Sequence, residues 1–85
     1  MDTRSDELYD DIAVRVRDVV RTLRRCGISH AVTASAIGVS ERTLKAYWSR
    51  GQNRRHIGPD RLTKLNRMAD EAIRRHAALV EGLAA

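Results

Sequence analysis

Residues 29–51 read SHAVTASAIGVSERTLKAYWSRG, and their punctuation decides the fold. Ser29 carries a short side-chain oxygen that can accept a hydrogen bond from an orphan amide, as a helix N-cap does. His30 to Ile37 follow as a short helix, with Val32, Ala36 and Ile37 available for burial. Ala34 is small, so another backbone can approach closely there. Gly38 then permits the left-handed backbone that commonly ends a helix. Ser40 caps a further helix predicted from Glu41 to about Ser49. Leu44 and Tyr47 lie three apart on one face and point inward, with Trp48 bordering that stripe. Glu41, Arg42, Lys45, Ala46 and Ser49 lie on the other faces.

Upstream, apolar residues recur at Leu8, Ile12, Val16, Val19 and Leu23, with steps of four, four, three and four. That is helical periodicity, and Val14 and Val20 widen the stripe. The helix is expected to start near Ser5, with Thr3 as the alternative cap, and Asp6 and Glu7 suit its positive end. Arg21, Arg24 and Arg25 suit its negative end, and Gly27 can terminate it. Downstream, Arg50 to Gly58 lacks periodicity and is predicted as a loop. Pro59 opens a last helix at a position where its missing amide costs nothing.

That last helix is expected to run to about Leu83. Leu62, Leu65, Ala69, Ala72, His76, Leu79 and Leu83 step alternately by three and four, a heptad seam broadened by Met68, Ile73 and Val80. It is longer than one small helix pair can cover. Its first half is expected to pack on the domain. Its second half, through Ala72, His76, Leu79 and Leu83, is expected to meet another copy. The alternative is a helix that folds back over its own long first helix. His76 interrupts the seam, either as a polar residue that sets partner register or as an ordinary boundary histidine. The expected fold class is therefore all-α. A single domain spans residues 1–85, with about four helices, of which the first and last are long.

At 85 residues the chain buries only about 60% of the surface that it exposes when unfolded, which favours a partner subunit. Aromatics are few: Tyr9, Tyr47 and Trp48, with no Phe. The core must come from Leu, Ile, Val and Ala, a composition that suits helices. The net charge is +5 and is unevenly placed. Residues 1–26 balance six acids against six bases. Residues 27–58 set Arg42, Lys45, Arg50, Arg54 and Arg55 against Glu41 alone. A concentrated basic patch on a small domain is the footprint of a polyanion partner, although a solvated basic face has the same composition.

A helix, a tight turn at a glycine and a second helix form an arrangement that can place the second helix in the DNA major groove. Arg can bind guanine O6 and N7 in a two-point contact, and Glu can accept from cytosine N4. Lys and Ser mostly reach phosphates. The stretch HAVTASAIGVSERTLKAYWSRG resembles the helix-turn-helix of phage and plasmid repressors of the Cro/CI type. The likeness rests on Ala34, on Gly38, on the run Gly38-Val39-Ser40-Glu41-Arg42-Thr43-Leu44, and on Tyr47 in the second buried position. Gly51 and Pro59…Leu62…Leu65 also look like that family's loop and following helix, so the likeness covers about residues 29–69.

By position, the resemblance implies a helix-turn-helix at 29–50 with residues 41–49 as the recognition helix. It makes Ser40, Glu41, Arg42, Lys45 and Ala46 the groove-facing set, with Ser49 and Arg50 towards the DNA backbone. Glu41 has a duller role available, serving only the helix dipole. Arg54 and Arg55 can grip phosphate, probe the minor groove, or form a mobile solvated pair. The function so implied is sequence-specific binding of double-stranded DNA by a homodimeric transcriptional repressor on a palindromic operator. The alternatives are a helical adaptor whose basic face meets an acidic protein, and a DNA packaging or recombination accessory protein.

Other classes find little footing. His30, His56 and His76 show no metal spacing, there is no glycine-rich phosphate loop, and Cys26 has no obvious base partner. Neither an enzyme nor a cofactor is expected. With one cysteine, Cys26, no intramolecular disulfide can form, and a reducing cytoplasm fits. No apolar run of about 18 residues is present to span a membrane. The acidic start MDTRSDELYDD is not expected to be a signal peptide.

Overall fold

A computed structural model describes the backbone of residues 3–49 and 51–84 and the side chains of residues 10–49 and 52–83. Among the described residues the chain forms four α-helices and no strand. They are α1 (Thr3–Arg25), α2 (His30–Ile37), α3 (Glu41–Ala46) and α4 (Pro59–Ala84), with a 3₁₀ turn at Gly51–Asn53. The stretch expected to be pure loop thus contains one short turn. α1 already includes Thr3 and Ser5, so both candidate caps lie inside the helix rather than before it.

Two glycines end their helices in the same way. At the end of α1 the Ile28 amide donates to the Leu23 carbonyl and the Gly27 amide to the Arg24 carbonyl, both at 3.0 Å. At the end of α2 the Val39 amide donates to the Ala34 carbonyl (3.0 Å) and the Gly38 amide to the Ser35 carbonyl (3.1 Å). This is the Schellman arrangement, which needs one residue in the left-handed region. Gly27 and Gly38 supply it with φ of 88° and 80°. A Cβ at either position would meet nothing within 4 Å, so backbone conformation, not crowding, calls for glycine there.

The core gathers Val16, Val20 and Leu23 from α1, Ala34 and Ile37 from α2, Leu44 and Tyr47 around α3, and Leu65, Ala69 and Ala72 from α4. The expected stripe of α1 from Ile12 to Leu23, the seam of α4 as far as Ala72 and the inward pair Leu44 and Tyr47 are found, while the side chain of Leu8 lies outside the described residues. Three details differ. Val14 is 46% exposed and does not widen the stripe of α1. Val32 is 56% exposed and Ala36 is also exposed. α2 turns Thr33, Ala34 and Ile37 inward instead. Thr33 is fully buried, and its Oγ1 has no hydrogen-bond partner among the described residues.

α1 and α4 pack side by side. Asp10, early in α1, pairs with Arg54 just ahead of α4. Cys26, just past the end of α1, lines a groove with Met68, Ala72 and Leu79 of α4. The two long helices therefore run in the same sense, and α4 continues after α1 has stopped. The seam is buried at Leu65, Ala69 and Ala72 and partly at Leu62. From Ile73 to Leu83 every residue is exposed. The alternative of a last helix folded wholly over α1 does not hold past Ala72. The projecting end makes the molecule long, 56 × 25 × 20 Å, with a radius of gyration of 14.6 Å against about 12 Å for a compact chain of this length.

Candidate nucleic-acid interface

α3 is short because its far end is pinned from outside the helix. Past Ala46 the bonding pattern tightens: the amides of Tyr47, Trp48 and Ser49 donate to the carbonyls of Leu44, Lys45 and Ala46 at 3.2–3.3 Å. The Arg55 amide also donates to the Ala46 carbonyl (3.0 Å). The Arg54 Nε donates to the Ser49 carbonyl (2.7 Å). The helix expected to reach about Ser49 thus ends at Ala46, and residues 47–49 follow as tight turns. The near end is fixed by Ser40, whose Oγ accepts from the Thr43 amide (3.1 Å) and donates to Thr43 Oγ1 (3.0 Å). Ser29 does the same work for α2, accepting from the Val32 amide at 3.2 Å. His30 and Trp48 meet edge to face with ring centroids 6.0 Å apart, which ties the start of α2 to the end of α3.

Leu44 and Tyr47 hold α3 by its inner face, and the outer face forms one wall of an open concavity of about 1000 Å³. Glu41, Arg42, Lys45, Ala46, Ser49, Arg54 and Arg55 all line it. The structure therefore brings together seven of the nine residues singled out from the sequence as the basic face. Ser40 sits at the corner with its hydroxyl committed to the cap. Arg50 lies outside the described residues.

Within the group the roles separate. Arg42 and Arg55 are exposed, and neither is in an ion pair among the described residues. Lys45 and Glu41 face each other across one turn at 3.7 Å, both about half-exposed, so each is available to a partner at little cost. Ser49 Oγ donates back to the Lys45 carbonyl (3.0 Å). Arg54 differs most from the expectation of a phosphate-gripping or mobile residue. Its side chain is 21% exposed and pairs with Asp10 of α1 while its Nε holds Ser49. It braces the wall of the concavity. Arg55 keeps an exposed side chain, while its backbone amide donates to the Ala46 carbonyl.

Nothing in the local sequence marks Asp10, whose role depends on a contact 44 residues away. Thr43, Gln52 and Asn53, which sequence reasoning does not assign to the basic face, also line the concavity. The last two sit in the short turn between Gly51 and Arg54, an amide pair able to donate and accept. Among the described residues no three of His, Cys, Asp and Glu come close enough to hold a metal ion. None of the described helices is long and apolar enough to cross a membrane. Comparison with known proteins returns no match, whether among family models, curated proteins or solved structures.

Proposed function

We propose that the chain is a sequence-specific DNA-binding protein that acts as a homodimeric transcriptional repressor, with α3 in the major groove of a palindromic operator. One observation carries this. The two caps and the left-handed Gly38 set α3 on a rigid corner, with Arg42, Lys45 and Arg55 on one open, polar, net-positive face. Arg42, early in α3 and in no ion pair among the described residues, is our candidate base reader and suits guanine. Lys45 and Arg55 suit phosphates, as do the amides of Gln52 and Asn53. Glu41 is the candidate acceptor for cytosine N4 once Lys45 turns to the backbone. The exposed second half of α4 supplies the surface that pairs two copies. Cytoplasmic DNA is the implied target.

A gel-shift series at rising salt tests the proposal. Each phosphate neutralised contributes about −0.9 to the slope of log affinity against log salt. A steep slope with preference for one duplex is the expected result. Salt-independent binding, or equal affinity for every sequence, would refute it. A basic adaptor for an acidic protein would show no DNA preference for Arg42→Ala to remove.

A further inference from the structure

α4 loses its cover where α1 ends, and at that point a groove of about 370 Å³ opens, with an apolar floor of Cys26, Ile28, Met68, Ala72 and Leu79, and with His76 and the Glu71–Arg75 ion pair also lining it. Beyond it the helix is bare. Ile73, Leu79, Val80 and Leu83 are 48%, 68%, 51% and 88% exposed and continue the seam on one side of the helix. Together they present on the order of 400 Å² of apolar surface, as large as the largest patch on an ordinary monomer, which is often functional. We propose that a second copy of this chain covers this face, its α4 running antiparallel, with Leu83 of each copy seated in the Cys26–Ile28–Ala72 groove of the other. The inference rests on the homodimer proposed above and adds its direction and register.

Two features select this pairing. In an antiparallel heptad pair, core positions of one kind meet those of the other. A two-fold axis midway between residues 77 and 78 then sets Ala72 against the partner's Leu83 and His76 against the partner's Leu79. Ile73 and Val80 flank the same contact. The small Ala72 is the floor of the groove, so the large Leu83 meets a space and not a bulky side chain. Parallel helices would pair Leu83 with itself and leave the groove empty. The register also sets the domains apart sensibly. The two copies of Leu65, at the buried centre of each domain, lie about 25 residue rises apart along the pair, or ~37 Å, near the ~34 Å between successive major grooves on one face of DNA.

The test uses the full chain without DNA, in analytical ultracentrifugation and by oxidative cross-linking of Leu83→Cys. The wild-type chain is expected to sediment as a dimer. The thiol introduced at position 83, on a side chain that is 88% exposed and so harmless to folding, is expected to form an intermolecular disulfide with Cys26. That cross-link is expected to vanish in the Leu83→Cys/Cys26→Ser double variant. A monomer at tens of micromolar overturns the proposal and leaves the face to a different protein. A dimer whose cross-link survives the loss of Cys26, or that forms none, overturns the antiparallel register. Mass and cross-linking are read without DNA, so a failure of DNA binding alone leaves these results unchanged.

Discussion

At the scale of single residues, three arginines that look alike in the sequence do different work. Arg42 stands in no ion pair among the described residues and lines the concavity. Arg42→Ala is expected to cost about 1–3 kcal/mol on the preferred duplex and much less on a scrambled one, as read by competition gel shift. Arg55 is an exposed cation, and Arg55→Ala is expected to weaken binding to all sequences alike and to reduce the salt slope by about 1. Arg54 is engaged with Asp10 and Ser49. Arg54→Ala is expected to lower the melting temperature while changing the salt slope less than Arg55→Ala does. Thr33 gives a stability test of the opposite sign. Its buried hydroxyl oxygen lacks a partner, and a desolvated, unpaired group of that kind costs about 1–3 kcal/mol. Thr33→Val keeps the shape and removes the cost, so thermal denaturation should show a higher midpoint. A lower one would mean that Oγ1 is bonded in solution.

At the scale of elements, α3 has six residues, far below the length at which a helix stands alone in water. It exists because its ends are tied and its inner face is buried. Gly38→Ala keeps the helical sequence intact but forces a side chain into φ of 80°, at a cost of about 1–2 kcal/mol. Gly38→Asn should cost less, since Asn tolerates that region, and chemical denaturation can rank the three. The same logic shows what sequence could tell. The ends of α2 and the start of α3 were legible because Ser29, Gly38 and Ser40 act on neighbours three to five residues away. The end of α3 was not, because Arg55 and Arg54 set it from a loop with no periodicity. The inward face of α2 was not legible either. Ala31, Val32, Ala34, Ala36 and Ile37 surround the helix with apolar side chains, so its rotation is chosen by α1 and α4. Most of the outer face of α3 could be listed from spacing alone, but its division into free, paired and bracing cations needed the fold.

At the scale of the whole molecule, a small domain carries its positive excess on one face and a bare apolar helix end elsewhere. The first half of α4 belongs to the core and the second does not, a division that falls where α1 runs out. The seam that runs in sequence from Leu62 to Leu83, interrupted at His76, is thus buried in its first half and exposed in its second. If the basic face and the bare helix end are used together, DNA is met by two copies of α3 related by a two-fold axis, and the site on DNA must share that symmetry. Selection of bound fragments from random duplex DNA tests this most directly. The expected result is enrichment of one inverted repeat whose half-sites lie about 10 base pairs apart, centre to centre, with the enrichment lost in Arg42→Ala. Recovery of fragments with no common sequence, or of none above background, would contradict it.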